Sequence, residues 1–138
     1  MIFMCLLLAG TALHASGKLP EGRWIVQQVT VEKTVDGNTE TTVYNAAKDV
    51  QSFYSCPKEF IINRQNLTIR YLGDTEEIAE YSLEDNRLTI FAAVAKLSYL
   101  YSASEGNLIF TTTRNYFNNL PTGQVEQISE KWTIVLNK

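Results

Sequence analysis

Histidine is almost missing from this chain, cysteine and proline are scarce, and neither sign of charge dominates. The one histidine is His14, the two cysteines are Cys5 and Cys56, and there are three prolines. Lys+Arg is 12 and Asp+Glu is 15, a net charge of −3. A balance this mild excludes the strongly basic face of a nucleic-acid binder. Two cysteines are too few to staple a disulfide scaffold. With 45% hydrophobic residues, the 138-residue chain is not a disordered tail but one domain with enough material to bury a core.

The one long apolar run stands at the N-terminus. Ile2 to Ala15 reads IFMCLLLAGTALHA without a charge. An apolar run closed by small residues is the pattern of a secretory signal peptide, although the basic n-region is missing. Cleavage after Ala15 places Leu13 and Ala15 at positions −3 and −1. A membrane anchor needs about 18 apolar residues, and Gly10, Thr11 and His14 come too early for that. Leu8-Ala9-Gly10 resembles the start of a lipoprotein signal, but Thr11 stands where its cysteine belongs. The expected organisation is a signal peptide over 1–15 and one domain over 16–138. The expected location is the periplasm, the exterior or the outer surface.

Removing residues 1–15 leaves no histidine and one cysteine, Cys56. No Ser-His-Asp triad and no Cys-His dyad can then form, and a zinc site lacks ligands. Cys56 has no intramolecular partner. It is either buried and inert or paired between chains, with Pro57 marking a nearby turn. No cofactor and no catalytic group is expected.

What remains is strand-forming from end to end. Nine segments carry β-branched and aromatic residues: Arg23–Lys33, Thr39–Tyr44, Glu59–Arg64, Leu67–Leu72, Glu77–Leu83, Arg87–Phe91, Lys96–Ser102, Leu108–Tyr116 and Val125–Leu136. Between them lie turn signals, including Val35-Asp36-Gly37-Asn38, Glu84-Asp85-Asn86, Glu105-Gly106-Asn107 and the Pro121 region. Such spacing predicts an all-β sandwich or a meander barrel. Two stretches show helical spacing as well. Ala46, Val50, Phe53 and Tyr54 make Asn45–Cys56 a helix, loop or lid; Ala93, Leu97, Leu100 and Tyr101 compete with the strand over Ala92–Tyr101. Alternation puts Tyr81 and Leu83 on one face with Leu88 and Ile90. It groups Leu67, Ile69 and Tyr71, runs Leu108 and Phe110 on into Thr112 and Arg114, and groups Ile128, Trp132, Ile134 and Leu136. Thr68, Arg70, Glu80, Ser82, Arg87 and Thr89 take the opposite faces.

Gly22-Arg23-Trp24 at the start of the first strand resembles the Gly-x-Trp opening of lipocalins. The run from Tyr81 to Ile90 is similar to the central hairpin of small bacterial lipocalin-like domains. Lys131 to Leu136 resembles their aromatic last strand. The resemblance spans the mature chain, through short motifs. It implies an eight-stranded up-and-down barrel, with a ninth strand as a variant, and a cup for a small apolar ligand. It also implies that Trp24 plugs the closed end. The family's Arg stacked on that Trp is missing near the last strand, which offers Lys131 and Lys138, and the Thr-Asp-Tyr motif has only a loose echo in Thr113-Arg114-Asn115-Tyr116.

Candidate contacts follow from the inward rows. Trp24 and Trp132 are expected to meet at the barrel floor as core aromatics. Tyr71, Tyr81, Tyr99, Tyr101 and Phe110 are candidates to line a pocket or simply to fill the barrel. Glu130 falls on the same face as Ile128 and Trp132, where an unpaired carboxylate is costly. Either a cation such as Arg114 pairs with it inside, or a bulge turns it outward; both residues are candidate ligand contacts. The acidic run Asp74, Glu76, Glu77, Glu80 lacks the ligand alternation of a calcium loop and reads as a solvated turn. The Asn66-Leu67-Thr68 sequon reads as chance spacing. The expected function is binding of a small hydrophobic or amphipathic molecule. The alternative is a filled-barrel interaction module of the cell envelope, with an unknown protein partner. A carboxylate-and-tyrosine enzyme comes last.

Overall fold

Period-two alternation needs a sheet with one covered face, and here the sheet supplies it by curling onto itself. The computed structural model describes residues 17–52, 55–93 and 95–138, so the signal peptide expected over 1–15 lies outside the described residues. The strands are β1 (Gly22–Val35), β2 (Asn38–Tyr44), β3 (Pro57–Ile62), β4 (Asn66–Tyr71), β5 (Glu76–Glu84), β6 (Arg87–Phe91), β7 (Lys96–Ser104), β8 (Asn107–Asn119) and β9 (Val125–Asn137). All neighbours are antiparallel, and β1 also pairs with β9. The ring is β1 and β3 to β9, a closed eight-stranded barrel, with β2 as one extra strand.

β2 stays outside the ring because β1 shares one edge between two partners. Its first residues, Gly22 to Ile25, pair with β3, and Val29 to Val35 pair with β2. The other edge of β1 pairs with β9 along nearly its whole length. The Asp36-Gly37 hairpin joining β1 to β2 has φ of 51° and 81°, the left-handed pair that lets a two-residue turn follow the strand twist. Of the helical spacing over 45–56, a single 3-10 turn, Ala47–Asp49, is realised among the described residues, Phe53 and Tyr54 lying outside them, and the second ambiguous stretch resolves into β7.

The inward rows are those expected. Leu67, Ile69, Leu88, Ile90, Phe110, Trp132, Ile134 and Leu136 are fully buried. Phe110 is the hub of the lower barrel, with ring centroids of Phe60, Tyr99 and Tyr101 at 5.3, 5.5 and 6.2 Å. Below it a strap closes the end. The Gly17 amide donates to the Leu83 carbonyl at 2.8 Å, and the Leu19 amide donates to the Tyr81 hydroxyl at 3.2 Å. The Trp24 indole donates to the Pro20 carbonyl at 3.0 Å, and Lys138 Nζ lies 5.2 Å from the centre of the Trp24 ring. Outside the wall, Glu59 is 4% exposed because Arg23 covers it with two hydrogen bonds of 3.0 Å, joining β1 to β3.

Candidate functional site

The two halves of the barrel are built differently. β1, β8 and β9 are 13 or 14 residues long, whereas β3, β4 and β6 have five or six. One wall therefore rises well above the other, and the segment from Asn45 to Cys56 leads from β2 on the tall side to β3 on the short side. Among the described residues, a cavity of about 1160 Å³ opens in this upper half. The connecting segment contributes Ala47, Val50, Ser52, Ser55 and Cys56 to its lining. The sequence marked this stretch as a lid candidate and singled out Val50 and Cys56 in it, but not as cavity lining, and it did not single out Ala47, Ser52 or Ser55.

The cavity passes through the wall. Leu97 and Tyr99 of β7 and Thr112 and Arg114 of β8 lie on inward rows, yet Ser98, Leu100, Thr111 and Thr113, which alternate with them, line the same space. Strand pairing explains this. β7 pairs with β6 over Lys96–Leu100 and with β8 only over Leu100–Ser104. Above Leu100 and Thr111 the two strands part, bridged by the Thr112 hydroxyl donating to the Ser98 carbonyl at 2.9 Å. The result is a lateral slot.

Of the sequence candidates, Tyr71, Tyr99 and Arg114 line the cavity. Tyr81 does not: its hydroxyl serves the strap at the floor and donates to the Asn63 carbonyl at 3.4 Å. Phe110 and Tyr101 lie below, Phe110 as the core hub and Tyr101 paired with it across β7 and β8. Trp132 is a correction. It pairs with Val31, seven residues along β1 from Trp24 (31 − 24), roughly 20 Å up the wall, so Trp24 alone sits at the floor. Alternation assigns a side chain to a face and is silent about its height.

Glu130 takes a third solution to the problem its position posed. No bulge interrupts β8 and β9, and the side chain stays inside, 3% exposed. Its carboxylate accepts from Ser52 Oγ at 3.0 Å, Tyr116 Oη at 2.8 Å and Trp132 Nε1 at 3.0 Å. Three donors satisfy a buried carboxylate without a bulge. Arg114 is its cross-strand partner in register, and the guanidinium carbon lies 4.7 Å from the centre of the Trp132 ring. Tyr99 is close enough for the charge of this guanidinium to act on its hydroxyl.

Burial governs the titrating groups of the cavity. The Cys56 thiol is pushed up to about 11 by desolvation, with the charge of Arg114 pulling the other way. Burial also raises Tyr99, again against Arg114, and raises Tyr71, where Glu77 adds to the effect. Cys56 is a buried free thiol whose Sγ donates to the Pro57 carbonyl at 3.4 Å.

The closed barrel is compatible with a calycin or lipocalin-like fold. Comparisons with protein-family models, with curated proteins and with solved structures find no match to the chain.

Proposed function

We propose that the mature chain is an exported, non-enzymatic, lipocalin-like protein that holds one small hydrophobic or amphipathic molecule in the upper half of its barrel. The cavity of about 1160 Å³ carries the reading. It lies just above the roughly 300–1,000 Å³ of small-molecule sites, because part of it opens outside the slot. Apolar walls from Val50, Leu97 and Tyr71 supply contact area, and hydroxyls of Tyr99 and Thr112 set orientation.

Gentle purification followed by native mass spectrometry tests the binding reading. The expected result is a mass adduct, or uptake of an apolar fluorescent probe by the stripped protein. A clean apo mass without probe uptake would transfer support to the filled-barrel interaction module. N-terminal sequencing of the exported form tests the targeting signal, with Ser16 as the expected first residue.

A further inference from the structure

We infer that the molecule taken by this cavity carries an anionic head, such as a carboxylate, on an apolar body, and that the head passes the slot between β7 and β8 to lie against Arg114. The inference rests on the binding reading above. The charge of the lining is one-sided. Among the described residues Arg87, Lys96, Arg114 and Lys131 line the cavity and no acidic side chain does, in a chain whose net charge is −3. With 15 acids against 12 bases overall, an unbiased lining would carry both signs.

The placement of the four charges adds to their number. Arg87 pairs with Leu100, and Lys131 with Thr113, so both stand on the outer face beside the slot. Lys96 begins β7 at the rim. Arg114 is on the inner row, so the positive charge continues from the outside, through the wall, to the interior. Low-dielectric walls lined by one sign of charge concentrate ions of the other.

Arg114 is also held in place. The Trp132 ring lies 4.7 Å from its guanidinium carbon, and the inner row of β8 fixes where it enters the cavity. A planar fork held this way suits a carboxylate, which it can meet with two parallel bonds. The two nearest acids turn their carboxylates to other donors. Glu130 accepts from Ser52, Tyr116 and Trp132, and Glu77 accepts from the Ala93 amide at 2.7 Å.

The test is calorimetric titration of the mature protein with dodecanoate, dodecan-1-ol and dodecylamine near neutral pH and at low salt. The three share a tail and differ in head charge. Dodecanoate is expected to bind about tenfold or more tighter than the alcohol, with the amine weakest. Arg114→Gln should cost dodecanoate about tenfold and leave the alcohol unchanged. Lys131→Gln, an exposed change that spares the interior, should slow dodecanoate uptake and flatten its salt dependence. The wild-type comparison and Lys131→Gln decide the matter if Arg114→Gln fails to fold. Equal affinity for acid and alcohol, or preference for the amine, overturns the anionic head while the cavity reading stands. Binding of none of the three overturns the cavity reading itself, and the anionic head with it.

Discussion

Glu130 shows how a residue at odds with its row is accommodated. It stands between Ile128 and Trp132, both buried, and its carboxylate collects donors from the lid segment, from β8 and from β9. Glu130→Ala leaves those donors without their acceptor and is expected to cost about 3 kcal/mol or more, since each orphaned group costs roughly 1–3. Glu130→Gln keeps an acceptor oxygen and hydroxyls can reorient, so about 1 kcal/mol is expected. Urea midpoints of the two variants check that order. The sequence made the problem visible, because a carboxylate on an apolar row must be resolved. It could not name Ser52 as a solution, since 78 residues separate the two. Cys56 gives the pH prediction. Its thiol titrates near 11 when folded, against an ordinary value of 9.0. Below pH 9 both folded and unfolded chains keep the proton. Between about 9 and 11 only the unfolded chain releases it, so stability falls as pH rises, by up to roughly 2–3 kcal/mol. Denaturant midpoints measured across that range should fall more steeply for the wild type than for Cys56→Ala. At neutral pH a thiol reagent should label the native protein slowly and the unfolded protein at once.

At the scale of elements, turn chemistry and alternation were legible, and connections were not. Gly22 opens β1 with φ of 131°, a conformation other residues avoid, and a Cβ there would meet Lys138 Cε at 3.0 Å. The lysine tail can move; the backbone strain remains. Gly22→Ala is expected to cost about 1–3 kcal/mol and to loosen the Lys138 contact on Trp24, read as a lower melting temperature with altered tryptophan fluorescence. The segment 45–56 was ambiguous because Ala46 and Val50 sit at helical spacing. Among the described residues its helix is the turn Ala47–Asp49, for reasons at its far end. Pro57 disfavours helical backbone at Cys56, and Ser52 is committed to Glu130 across the cavity. Tertiary contacts there outweigh a weak periodicity. β2 illustrates the same limit: its alternation predicts a strand, and only the pairing of β1 with β3 and β9 places it outside the ring.

For the whole molecule, closure is the decisive event. β1 meets β9 from Ile25 through Val35, joining the two ends of the chain. Pairing so distant in sequence is slow to form, and folding on the millisecond-to-second scale is expected from stopped-flow tryptophan fluorescence. Stability should also be uneven. β1, β8 and β9 share the longest pairings and the fully buried row Trp132, Ile134, Leu136. β2 pairs on one edge only, and Asn38 to Val43 are exposed. Native-state hydrogen exchange should show β2 amides exchanging first and the middle of β9 last. Early protection of β2 would contradict the peripheral role assigned to it.

The order of strands in the chain, the facing of the alternating rows in β4, β5, β6, β8 and most of β9, and the two-residue turns were settled by the sequence alone. Each depends on a period of two or on a local φ preference, and neither needs a distant partner. Tertiary structure decided the rest. It set the height of each side chain in the barrel, putting Trp24 at the floor and Trp132 far above it. It also parted β7 from β8 to open the slot, and it brought Ser52 to Glu130. Height and gaps follow from the relative stagger and length of strands around a closed ring, a property of all the pairings together and of no single segment.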